Sequence, residues 1–141
     1  MEFAITTLDW TTMKYTTETP SLIRERPSAS CVLIKDVDGM SKVAIIGGKS
    51  KGMEFWNPLD GSVELVTAQL PAEDGSVHGL MDSYVIPING GTEFILYSGD
   101  KVSHHLGIWR YTVAGNKWER IQLLLEPRSG HAVVPVTGMT C

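Results

Sequence analysis

Val43-Ala44-Ile45-Ile46-Gly47-Gly48, followed by Trp56 and Val63, returns later in the chain as Phe94-Ile95-Leu96-Tyr97-Ser98-Gly99, followed by Tyr111 and Trp118. Gly48 and Gly99 are 51 residues apart, and both Trp56 to Tyr111 and Val63 to Trp118 span 55. Each copy is a β-favouring apolar run closed by glycine and followed by two large residues. A glycine at the end of such a run permits a backbone conformation or a close approach that a side chain would block. Self-similarity at this period marks a repeat architecture.

Outward from these runs, each copy gains a hairpin on either side. Cys31-Val32-Leu33-Ile34-Lys35-Asp36 and Lys42-Val43-Ala44-Ile45-Ile46 flank the tight-turn dipeptide Asp38-Gly39. Tyr84-Val85-Ile86-Pro87-Ile88 and Glu93-Phe94-Ile95-Leu96-Tyr97 flank Asn89-Gly90-Gly91 in the same way. Beyond the glycines, Glu54-Phe55-Trp56 turns through residues 57–61 into Ser62-Val63-Glu64-Leu65-Val66. Ile108–Val113 turns through Gly115-Asn116 into Trp118-Glu119-Arg120-Ile121. Each unit is therefore a four-stranded antiparallel meander. The two early strands of each unit read as nearly continuous apolar runs and are expected to be the buried ones, with the later pair alternating near a rim.

The chain of 141 residues is long enough for one core, and 43% hydrophobic content excludes a disordered composition. A net charge of -4 without charged blocks gives no reason to expect nucleic acid or an anionic membrane as partner. No basic n-region precedes an apolar leader and no apolar run reaches membrane-spanning length, so a cytoplasmic, soluble protein is expected. Cys31 and Cys141 form neither a disulfide framework nor a metal motif. Cys31 lies in an apolar run and is expected to pack as a small hydrophobe.

The repeated residues resemble the kelch repeat, an apolar strand closed by a glycine pair and followed by a Tyr and a later Trp. Gly47-Gly48 resembles the glycine pair, Tyr111 and Trp118 resemble the Tyr/Trp pair, and Arg128-Ser129-Gly130-His131-Ala132 resembles the approach to another inner strand. Departures are Trp56 for the Tyr, Val63 for the Trp, and Ser98-Gly99 for the glycine pair. The resemblance implies an all-β, incomplete kelch-type β-propeller. Residues 28–70 and 81–126 would be blades and 71–80 a polar linker. Residues 1–27 would carry the outer strand or strands of a preceding blade and a linker, with 5–15 reading as one strand, and 127–141 the inner strand of a following one. A propeller closes with about four to eight blades, so the chain reads as part of a larger propeller, or as one copy in an assembly joined through open blade edges.

Kelch propellers mostly bind proteins through loops on one face, so the resemblance implies a non-catalytic interaction module with a protein partner and no cofactor. The site residues Gly47, Gly48, Trp56, Val63, Ser98, Gly99, Tyr111, Trp118, Arg128 and His131 are then structural. Recognition falls to the loop holding Asp100, Lys101, Ser103, His104 and His105. Tyr111 follows Gly99 by 12 residues where Trp56 follows Gly48 by 8, and the extra residues fall in that loop. Adjacent histidines on an extended chain point apart and rarely share a metal.

Two other chemistries are weighed. Gly47-Gly48-Lys49-Ser50 ends like a phosphate-binding P-loop, but Val43 stands where that motif needs its first glycine, and a strand rather than a helix should follow. Ser129 and His131 lack a nucleophile elbow and a third partner. The alternatives carried forward are a galactose-oxidase-like copper enzyme and a small β-sandwich binding domain. The acidic pairs Asp36/Asp38 and Glu73/Asp74 read as solvated turn residues.

Overall fold

Among the described residues, apolar runs bounded by turn residues with positive φ build ten strands in three antiparallel sheets. The computed structural model describes residues 5–18, 22–24, 26–48, 50, 52–69, 83–98, 107–122 and 125. Strands β3 (Ala29–Lys35), β4 (Ser41–Gly47), β5 (Met53–Trp56) and β6 (Val63–Val66) form one meander in the order β3-β4-β5-β6. Strands β7 (Tyr84–Ile88), β8 (Glu93–Ser98), β9 (Gly107–Thr112) and β10 (Lys117–Gln122) form the other in the order β7-β8-β9-β10. The chain is therefore all-β, built on two four-stranded antiparallel sheets of consecutive strands.

The two sheets repeat in register up to a β-bulge between Arg120 and Gln122. Val43 pairs with Trp56, which pairs with Val63; at the equivalent places Phe94 pairs with Tyr111, which pairs with Trp118. Ile45–Glu54–Leu65 corresponds in the same way to Leu96–Trp109–Arg120. The periods of 51 and 55 residues are thus a spatial register.

The core lies between the sheets. Val32, Ile34, Ala44, Ile46, Met53, Phe55 and Val66 of the first face Phe94, Leu96, Trp109, Tyr111 and Val113 of the second. Tyr111 is its centre, with ring centroids 5.0 Å from Phe94, 5.0 Å from Trp118 and 6.4 Å from Phe55. Such offset and edge-on pairs add about 0.5–1.5 kcal/mol each beyond their buried area. The inner strands come together at Ser30, whose hydroxyl donates to the Ser83 carbonyl. At the opposite end, Gly91 (φ 91°) brings the β7–β8 turn onto β3. A β-carbon there would lie 3.3 Å from the Lys35 amide nitrogen.

Three sequence expectations are corrected. Residues 5–15 do not form one outer strand. They belong to a hairpin of β1 (Ile5–Asp9) and β2 (Lys14–Glu18). Asp9 turns the chain, its carboxylate accepting from the Thr11 amide at 2.8 Å and the Thr12 hydroxyl at 2.7 Å. These bonds, the Thr12 hydroxyl first, hold its carboxyl below the usual carboxylate range. Of the two early strands of the first sheet, β4 is buried over its last four residues but β3 is not. β3 alternates because only one of its faces meets the second sheet, whereas β5 is buried throughout. Cys31 pairs with Ile45 on the opposite face of β3 and is a free, exposed thiol. The expected linker at 71–80 and inner strand at 127–141 lie outside the described residues.

Candidate functional site

Strand β4 ends in glycine because the chain must reverse there against other backbone. Gly47 and Gly48 have φ of 83° and 71°. A β-carbon on Gly48 would lie 2.6 Å from the Arg26 α-carbon, so the pair admits the segment before β3.

That segment carries the strongest polar cluster in the described structure. Arg26 and Glu54 form an ion pair at 2.7 Å, Nε to Oε1, and neither side chain has exposed surface. Glu54 Oε2 accepts from the Ile23 amide at 2.8 Å. Arg26 Nη1 donates to the carbonyls of Gly47 at 2.9 Å and Gly52 at 2.7 Å. Arg24 Nη1 donates to Ser50 Oγ at 3.2 Å, and the Gly52 amide donates to the same oxygen at 3.4 Å. One guanidinium thus ties the approach to β3 to both ends of the β4–β5 connection. The buried charges cost several kcal/mol to desolvate, and their mutual attraction and hydrogen bonds offset that cost.

At the other end of the sheets, a cleft of about 280 Å³ opens between the first sheet and the β9–β10 turn. Phe55, Tyr111, Val66 and Val113 supply apolar walls, and Asp36, Lys42, Glu64 and Asn116 line it with polar groups. Tyr111 donates its hydroxyl to Asn116 Oδ1 at 2.7 Å, and Asn116 Nδ2 donates to Thr67 Oγ1 at 2.7 Å. This chain of bonds crosses from one sheet to the other and holds Asn116 at φ 45°. Burial, then the charge of Glu64, pushes the Tyr111 hydroxyl up to about 12.

Asp36 is not the solvated turn residue expected. Its carboxylate accepts from the amides of Asp38 at 3.0 Å and Met40 at 2.9 Å, and it meets Lys42 Nζ at 3.1 Å. Burial raises its carboxyl, but the Lys42 hydrogen bond and the two amides outweigh that and leave it below the usual range.

The structure brings Trp56 next to Val63 and Tyr111 next to Trp118 as cross-strand neighbours. Gly47 and Gly48 sit at the Arg26 cluster, and Ser98 pairs with Gly107 at the end of β8. Gly99, Asp100, Lys101, Ser103, His104, His105, Arg128 and His131 lie outside the described residues. Gly52 leads directly into β5, so no helix follows the Gly-Lys-Ser run. Sequence reasoning missed Arg26 and Glu54. The available signal was Glu54 itself, a carboxylate between Met53 and Phe55 on the same strand face as Trp56.

Among the described residues, no three His, Cys, Asp or Glu side chains gather as a metal site, and no helix is long and apolar enough to cross a membrane. No protein-family model matches this chain, and no curated protein matches it either.

Proposed function

We propose that this chain is a section of a kelch-type β-propeller acting as a non-catalytic protein-interaction module in the cytoplasm. The observation that carries this reading is the register between the sheets, in which Val43–Trp56–Val63 and Phe94–Tyr111–Trp118 hold the same places. Equivalent meanders that pack face to face, with their first strands closest, are what neighbouring blades would form. The sequential strand order within each sheet favours this over a β-sandwich, whose chain commonly crosses between sheets.

In this reading partner recognition falls to the connections between second and third strands, residues 48–52 and 99–106. The longer one, with Asp100, Lys101, Ser103, His104 and His105, recognises the partner. Loops held on a rigid sheet scaffold are where binding residues concentrate. The two four-stranded sheets among the described residues are fewer than closure requires, so the 141-residue chain on its own should self-associate through unpaired strand edges. Light scattering after size exclusion tests this. A stable monomer that unfolds cooperatively would count against a propeller section. Stoichiometric copper, iron or zinc in the purified protein would instead favour a metalloenzyme.

A further inference from the structure

Arg26 has five N–H donors. Nε serves Glu54, and Nη1 serves the carbonyls of Gly47 and Gly52. Nη2 is buried and has no hydrogen-bond partner among the described residues. Buried guanidinium nitrogens are rarely left this way, so an unspent one marks a place where an acceptor belongs.

The surroundings define that acceptor. Gly52 has no side chain, and the point where its β-carbon would stand is 3.9 Å from Arg26 Nη2, 3.7 Å from Arg24 Nη1 and 3.6 Å from Leu65 Cδ1. Room for a methyl group at ordinary contact distance therefore lies beside both guanidinium groups. Ser50 Oγ accepts from Arg24 and from the Gly52 amide, so its own proton is not spent on either bond. The nearby acceptors are already engaged, Glu54 by Arg26 Nε and the Ile23 amide, the Gly47 and Gly52 carbonyls by Arg26 Nη1. Among the described residues, two guanidiniums face one carboxylate here. Arg24 is exposed, whereas Arg26, Ser50 and Gly52 are buried.

We propose that the space over Gly52, bounded by Arg24, Arg26 and Ser50, is a binding site for a small oxyanion, either a phosphate or a carboxylate group. Arg26 Nη2 is its buried donor, Arg24 its accessible cation and Ser50 its hydroxyl donor. The site stands on these groups alone and does not depend on the propeller reading.

The test is to titrate the full chain with inorganic phosphate and, separately, with acetate, holding ionic strength constant with sodium chloride. The thermal midpoint and the Gly52 amide resonance are followed. A ligand that binds only the folded state raises the midpoint with concentration. Gly52→Ala fills the gap with ordinary contacts and needs no unusual backbone conformation, so it should fold and lose the response. Arg24→Gln should weaken binding by about fivefold or more. A response to phosphate alone assigns a phosphate-type ligand, and a response to both anions assigns a carboxylate as well. No response to either anion at about 20 mM, or an equal response in Gly52→Ala, would mean that water satisfies Arg26 and would overturn the proposal.

Discussion

Glu54 in β5 and Trp109 in β9 occupy the same place in their sheets, opposite Ile45 and Leu96 respectively. One sheet fills that place with a fully buried carboxylate held by Arg26, the other with an indole. The Trp109 ring nitrogen lies 2.8 Å from where a Gly107 β-carbon would stand, and Arg120 lies over the ring at 5.9 Å. The scaffold tolerates both solutions because strand pairing is backbone work and does not consult the side chain. The first solution is brittle, since either charge alone is stranded; the second degrades gradually with lost contact area.

The sharpest way to break the comparison is Glu54→Ala. It leaves the Arg26 guanidinium buried without its counterion and should cost about 3–5 kcal/mol in chemical denaturation. Replacing both partners, Arg26→Met with Glu54→Met, should recover most of that loss. If the double variant is as unstable as the single one, the pair acts through its backbone hydrogen bonds rather than its charge. Gly48→Ala comes next, because it strains a left-handed position and drives a β-carbon into the Arg26 backbone. A loss of roughly 2–3 kcal/mol is expected, whereas Ala at Gly39, with open space around it, should show only the conformational cost of about 1 kcal/mol.

Tyr111→Phe removes the bond to Asn116 but keeps the ring, and should cost about 1 kcal/mol. It carries a pH signature as well. The folded hydroxyl titrates near 12, above the ordinary value near 10, so the folded state holds the proton more tightly. The wild-type chain should therefore lose stability as pH rises through about 10 to 12, and the Phe variant should lose less. The smallest effect should come from the second sheet's own ion pair, Arg110 with Glu119, at the equivalent place to Phe55 and Glu64. Their side chains are 40% and 58% exposed. Arg110→Gln should leave the denaturation midpoint within error, because exposed pairs are screened by water.

Much of this arrangement was legible in the residues. The Asp38-Gly39 and Asn89-Gly90-Gly91 turns and the glycine-closed runs placed eight strands and their order. The register followed from Trp56, Val63, Tyr111 and Trp118. Exposure was less legible, because burial depends on which face meets the other sheet. Cys31 reads as apolar from its neighbours Val32 and Ile34, yet alternation along β3 turns it the other way. The first hairpin was hidden because Asp9 makes its turn with a side chain, without a glycine or proline to mark it. The Arg26 cluster joins positions 28 residues apart, and no local pattern carries such a pairing.

The exposed thiol of Cys31 has a practical consequence. It stands on β3, a strand with one edge unpaired among the described residues, and on the face turned away from the second sheet. Any chain that settles there, whether a further blade or another copy, would shield the sulfur. The speed at which a thiol reagent modifies Cys31 is therefore a clock for how long that flank stays uncovered, readable without knowing what covers it.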